Sequence, residues 1–443
     1  MYRSFISALA LVLTAALATA QDSRPTFETQ PAVVVQARSG IGSTIAKLEA
    51  GKDVTVAYFG GSITAANGWR PKTTAWLQAQ YPSAKIHEVH AAIGGTGSDL
   101  GVYRCYHDVI AHHPDLVFVE FSVNDGGAAP EKIWMQMEGI VRQIWKANPE
   151  TDIVFTYTFI RGYYECTLAG ECSRAASAME QLAEFYNIPS INFCPRIAKM
   201  CKDGELAIKF DEAQPGQIIF SRDNVHPTDE GHELYLKDIQ QAWEQMKKLR
   251  VASSELREDT TQPTGANYDN HASQLEKTFF SRNYENARLV QINPKWLHGT
   301  WRKLEQGDPL YWATQRADDI WTSGTPGDSI EFKVKGSEVK IYDLLGPNGG
   351  QVKITVDGVD AQHLVPLFDS YCTYHRLGTL FVAGRLDPNV EHTVVVTIDA
   401  NQPDRKSVAF RLQDPEKELA EPKYQGTNVW FGSILIVGDV LDD

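Results

Sequence analysis

The sequence is short of the features that mark several large functional classes. Beyond its first twenty residues it has no apolar run long enough to span a bilayer, which excludes membrane insertion of the mature chain. It has no clustered lysine or arginine tract, and 56 acidic residues outnumber 42 basic ones to give a formal net charge of −14. Nucleic acid and other polyanions need clustered cations, so they are excluded as partners. The acidic excess reads as a solvated, solubilising surface. Cysteine is scarce, at six in 443 residues. No two form a CxxC pair and no matching histidines stand nearby, so the spacing offers no zinc site. His112-His113 lacks a third ligand and reads as the cationic end of a helix. "GGTGSDLG" lacks the dinucleotide-binding glycine pattern. No metal or cofactor is expected, and there is no internal repeat or low-complexity tract.

What is present describes an exported globular protein. Apolar content of 43% and charged content of 22% fit a packed chain, and 443 residues favour two domains over one. "MYRSFISALALVLTAALATA" combines Arg3, an apolar run and a small-residue Ala18-Thr19-Ala20 site, the pattern of a signal peptide cleaved after residue 20. No cysteine follows that site, so a lipid anchor is not expected. The predicted location is secreted or periplasmic. In that setting the close pairs Cys166/Cys172 and Cys194/Cys201 are the expected disulfides, with Cys105 and Cys372 unassigned.

From residue 54 the chain alternates short apolar strands with amphipathic helices. "VTVAYFG", "KIHEVHAAIG", "DLVFVEFSV", "DIVFTYTF" and "IPSINF" read as strands. The helices between them include one whose Ile133, Met137, Ile140 and Ile144 step by four, three and four. Another opens at "SDLG" with Ser98 as its cap, and a last one runs roughly over 229–249. This is the pattern of a parallel sheet covered on both faces, which binds ligands at the carboxyl ends of its strands. After residue 250 the texture changes. Residues 251–275 are polar and aperiodic and read as a linker. Residues 276–443 show period-two alternation, as at Ile330, Phe332 and Val334, broken by turn signals such as "TPGD" and "GPNGG". That second domain is predicted to be an all-β sandwich or jelly roll.

The chemistry gathers around "VAYFGGSITAANGWR", where a buried strand leaves the core through Gly60-Gly61 and presents Ser62. A turn is one reading of that corner and a nucleophile is the other. A serine hydroxyl is inert without a base, and "SRDNVHPTDEGH" offers one. Pro227 keeps His226 out of the helical region, and Asp223 three residues earlier can reach the second imidazole nitrogen and set the tautomer. Asn124 in "SVND" can aim an amide N–H at a developing oxyanion without adding charge. His232, six residues past His226, reads as structural.

Taken together these segments resemble the SGNH (GDSL-type) hydrolase family over roughly residues 50–250. "GGSIT" stands at its serine block, "HAAIGGTGSDLG" at its glycine block with Gly95, "SVND" at its asparagine block and "DNVHP" at its Asp-His block. Gly61 replaces the aspartate of GDSL, and His90 stands where members often have asparagine. The resemblance implies a three-layer α/β/α, flavodoxin-like domain and ester hydrolysis through an acyl-serine. It also implies an oxyanion hole built from the Ser62 N–H, the Gly95 N–H and the Asn124 side chain. The C-terminal region is similar, more loosely, to β-sandwich modules found beside carbohydrate-active SGNH esterases.

The expected activity is removal of small acyl groups, acetyl above all, from an oligo- or polysaccharide. The rivals are a lipolytic esterase or thioesterase of the same fold and a glycan-binding protein without activity. No apolar amphipathic insert lies between Ser62 and His226 to serve as a lid. Trp69, Arg70 and Arg161 are read as loop residues able to contact a sugar, with a packing role as the equal alternative for Trp69 and Arg70. The five C-terminal tryptophans (Trp296, Trp301, Trp312, Trp321 and Trp430) are read as sandwich core, with a sugar-stacking face as the alternative. Oligomeric state is left open by the sequence.

Overall fold

A computed structural model describes residues 25–258 and 270–441; the expected signal peptide and residues 259–269 of the expected linker lie outside it. The first half is built on strands β1 (Val35–Gln36), β2 (Val54–Gly60), β3 (Ile86–His90), β4 (Leu116–Glu120), β5 (Asp152–Tyr157) and β6 (Ser190–Asn192). They order as β1-β6-β5-β4-β2-β3, all parallel except for β1, which runs antiparallel at the edge beside β6. The chain moves outward from β2 to β3 and then returns to β4 on the other side of β2. That reversal opens a crevice between the carboxyl ends of β2 and β4, where such sheets bind ligands.

Helices cover both faces, as the continuous apolar strands require. On one face lie α4 (Ser98–Asp108), α5 (Pro130–Ala147) and α7 (Arg174–Tyr186). The predicted stripe of α5 is fully buried there, from Ile133 to Ile144, with Trp134 and Trp145 beside it. On the other face lie α1 (Gly42–Glu49), α3 (Trp69–Gln80), α8 (Cys194–Lys202) and α9 (Asp229–Glu258). The last helix therefore continues past the predicted end near residue 249. The short helices α2 (Ser62–Ala65) and α6 (Tyr164–Leu168) complete the set. A separate parallel pair, β7 (Leu206–Lys209) and β8 (Ile218–Ser221), was not foreseen from the sequence.

The second half is antiparallel throughout. Its long strand Ser329–Leu345 pairs with His392–Ile398 along its first residues and with Arg376–Gly384 and Val429–Leu441 along its later ones. Register shifts between Gly336 and Glu338 and between Val339 and Lys340 carry the strand from one layer into the other. The predicted alternation holds up to Gly336 and then fails, because beyond the corner both faces are covered. Val339 and Ile341 face the sandwich interior, whereas Tyr342 and Leu344 join Trp430 and Leu435 against the first domain. Of the five tryptophans, Trp296 and Trp430 are buried, Trp301 and Trp321 are half-buried, and only Trp312 is exposed.

The two halves thus share a core, and a polar cluster locks it. Glu338 accepts hydrogen bonds from Tyr103 Oη at 2.8 Å and Tyr284 Oη at 2.9 Å, with Lys340 at 3.2 Å. Burial pulls its carboxyl pKa upward, but Lys340, Tyr103 and Lys132 outweigh that and hold it below the ordinary glutamate value. A lowered native pKa adds stability above the unfolded value, near 4.3, which is lost as pH falls through the native one. Glu338→Ala is expected to cost about 3 kcal/mol at neutral pH, because it strands Lys340 and two hydroxyls. Denaturant titrations should also show that Glu338→Gln flattens the loss of stability below about pH 5.

Candidate active site

Ser62 follows β2 directly as the first residue of α2. The loop carrying its partners follows β8 and leads into α9. The Ser62 hydroxyl lies 2.8 Å from His226 Nε2, and His226 Nδ1 lies 2.6 Å from Asp223 Oδ2. The other oxygen, Oδ1, accepts from the His226 N–H at 2.8 Å, the Val225 N–H at 3.0 Å and Ser221 Oγ at 3.0 Å. Asn224 turns the chain between them at φ +72°, and a bridge between Ser221 and Pro227 closes the loop. Partial burial raises the Asp223 pKa, but these donors, His226 foremost, more than offset it and hold the carboxyl well below the usual range. The aspartate is therefore ionised and its geometry is fixed by backbone as well as by the imidazole.

The opposite wall comes from two glycines and the end of β4. A Cβ on Gly61 would stand 2.0 Å from Asn124 Oδ1, so the absence of a side chain at 61 is what lets Asn124 pack beside the serine. Gly94 backs onto Ser62, its would-be Cβ 3.6 Å from the serine Cβ, and Gly95 takes φ +76° with open space around it. Asn124 and Gly94 thus lie beside Ser62, and Gly95, which the resemblance names for an oxyanion hole, is next along the chain. Ser98 does not cap α4 as expected. Gly97 is the N-cap, and the carboxylate of buried Asp125 takes the Ser98 N–H at 2.9 Å, while Ser98 Oγ donates to Gln136 at 3.0 Å. Asp125 follows Asn124, so one carboxylate ties the Asn124 turn to the Gly95 loop. Burial, helped by Asp99 and Glu120, outweighs the Ser98 hydrogen bonds and pushes its pKa up to about 7.

Sequence reasoning missed Glu120. It lies fully buried at the end of β4, beneath the nucleophile, and accepts from Thr64 Oγ1 at 3.0 Å, Thr158 Oγ1 at 2.9 Å and the Gly61 backbone. Burial raises its pKa against those donors. The signal was available: Glu120 is the single charge within "LVFVEFSV", and a charge in a buried strand needs dedicated partners.

Three expectations about contacts are corrected. Trp69 and Arg70 are in α3, not in a loop. Trp69 is fully buried among Tyr58, Phe118 and Phe193, and its backbone N–H donates to Nδ1 of buried His232 at 3.2 Å. Burial drops the His232 pKa to about 4, so the ring stays neutral and accepts that bond. Arg70 turns inward to the Thr64 carbonyl and to Glu88. Arg161 is exposed beside the triad loop, where its N–H donates to Asn224 O at 3.0 Å and its guanidinium pairs with Glu212. All six cysteines are free thiols. Cys194 and Cys201 sit on one helix seven residues apart, a rise of about 10 Å that no disulfide spans. Cys166 and Cys172 instead meet the carbonyls of Tyr163 and Pro31. Among the described residues no group of histidine, cysteine, aspartate and glutamate is arranged to hold a metal ion, and no helix is long and apolar enough to cross a membrane.

A parallel α/β sheet with a Ser–His–Asp relay at its switch point defines a class of serine hydrolase. Residues 58–234 match the model of the GDSL-like Lipase/Acylhydrolase family, which spans Ser62 through His226. That segment is similar to the family throughout the triad region, and the chain is a carboxylic ester hydrolase. No curated protein matches the sequence. Among solved structures, a two-domain esterase (CEX) active on acetylated mannans superposes with a TM-score of 0.67 at 20% identity, over 93% of this chain and 99% of that one. The same esterase co-crystallised with mannopentaose gives 0.63 at 20% identity, over 90% and 94%. At that identity the likeness establishes the shared two-domain fold.

Proposed function

We propose that the protein is an exported carbohydrate deacetylase that works through an acetyl-serine. Ser62 Oγ attacks the ester carbonyl while His226 Nε2 takes its proton. Asp223 holds the imidazole in the productive tautomer and stabilises the imidazolium. The N–H groups of Ser62 and Gly95 and the Asn124 amide receive the oxyanion. His226 then returns the proton to the departing sugar oxygen. Water, deprotonated by the same ring, releases acetate and restores the serine.

The observation that carries the substrate class is how open the site is. The side chains of His226 and Asp223 are 47% and 55% exposed, so a polymer can reach the relay without a lid moving. A long acyl chain would need an apolar groove, which adds about 0.8 kcal/mol per methylene. The second domain stands close as well, since Arg316 helps to hold the His90 imidazole below its ordinary pKa after partial burial and Arg70. The two-domain esterase of similar fold, described as active on acetylated mannans, agrees with this reading.

Two assays test it. Acetate release from acetylated mannan, xylan and glucomannan should be clear for the wild type and absent for Ser62→Ala. On nitrophenyl esters, kcat/KM should peak at acetate and fall steeply by octanoate. Activity that climbs from acetate to octanoate would identify a lipolytic enzyme instead.

A further inference from the structure

The small parallel pair β7–β8 sends two segments out of its carboxyl edge side by side. One is the turn Phe210–Glu212 after β7, and the other is the loop with Asp223 and His226 after β8. The Arg161–Glu212 ion pair and the Arg161 N–H bond to Asn224 O fasten the two together. Between them and the start of α9 lies a groove of about 710 Å³, lined by apolar Phe210, Ile218, Ile219 and Pro227 together with Arg222 and His226 among others. Phe210 is 63% exposed at its edge, an aromatic that the fold itself does not use. Arg222 is exposed and makes no hydrogen bond or ion pair among the described residues.

We propose that this groove is a subsite for sugar units flanking the acetylated one. The inference rests on the deacetylase reading above. The direction follows from proton transfer. His226 Nε2 must lie within hydrogen-bond reach of the sugar oxygen it protonates, so the sugar occupies the imidazole's side of Ser62. The next units of the chain then run onto the surface contiguous with His226, which is this groove. Phe210 offers a ring for the C–H face of a pyranose, and Arg222 offers N–H donors for its hydroxyls.

The test compares Phe210→Ala, Phe210→Trp and the wild type on nitrophenyl acetate, acetylated mannose or xylose, and acetylated manno- and xylo-oligosaccharides of increasing length. For the wild type, kcat/KM should rise with chain length. For Phe210→Ala the ratio of kcat/KM on the longest oligosaccharide to that on nitrophenyl acetate should fall about tenfold, through KM, and Phe210→Trp should keep it. Because Phe210 is exposed, its truncation leaves no cavity to confuse the result. A wild type that ignores chain length, or a ratio unchanged in Phe210→Ala, overturns the subsite alone. A wild type that hydrolyses nitrophenyl acetate but no acetylated glycan overturns the deacetylase reading and the subsite with it.

Discussion

Ser62→Ala is expected to lower kcat on nitrophenyl acetate by about 10⁴-fold or more with the fold intact, and His226→Ala by a similar factor. The serine is half-exposed on a four-residue helix, so removing its oxygen disturbs no packing. Circular dichroism and thermal melts should therefore match the wild type. The two losses should not multiply: serine and histidine act as one unit, and the double variant should be about as slow as either single one. Asp223→Asn should fall between the wild type and these variants, because an amide nitrogen facing His226 Nδ1 favours the wrong tautomer. Since the native carboxyl is held well below the usual range, Asp223 stays ionised across any practical assay, and the acid limb of the pH–rate profile belongs to another group. Near-normal turnover by a folded Ser62→Ala protein would remove the proposed nucleophile.

The parts of this molecule that could be read from its sequence are those where one local rule decides. The strands of the parallel sheet are short, apolar and bounded by glycine or polar residues, and the stripe of α5 has a helical period that nothing else imitates. The four motif segments were legible because each sits at a strand end or a loop, where chemistry and chain reversal ask for the same few residue types. What escaped depends on distant partners. Trp69 and Arg70 look like loop residues after "AANG", yet the side chains of Phe118, Phe193 and Glu88 draw them inward. Ser98 has the right type for a cap, but Asp125, twenty-seven residues on, takes the role instead. The strand Ser329–Leu345 loses its period where a second domain covers its outer face, an event no window of local sequence contains. Glu120 could have been flagged as a buried charge, though not its two threonine partners, which come from α2 and from the loop after β5.

The departure at residue 61 leads to the second large effect. If Asn124 donates to the oxyanion, Asn124→Ala should cost about 10²–10³ in kcat and leave KM nearly unchanged, since the bond strengthens only as charge develops. Gly61→Ala should produce a loss of the same order by a different route. Its new methyl would stand 2.0 Å from Asn124 Oδ1, which no side chain tolerates, so the amide must swing away from the serine. The backbone at 61 is extended, at φ −93°, and accepts alanine without strain, so the effect is steric and dominated by that contact, with the Thr96 carbonyl next at 3.3 Å. The double variant separates the possibilities. With Asn124 already truncated, the methyl at 61 keeps a 3.3 Å approach to the Thr96 carbonyl as its remaining close contact, and Gly61→Ala should cost little more, giving a coupling of roughly 2–3 kcal/mol from a residue with no side chain. Steady-state kinetics on nitrophenyl acetate with the four proteins of this cycle decide it. Losses that simply multiply would mean that Gly61 and Asn124 act apart, and a loss confined to KM would make Asn124 a binding residue. A coupled loss in kcat would explain why this chain carries glycine where the GDSL pattern has aspartate: the space beside the nucleophile belongs to Asn124.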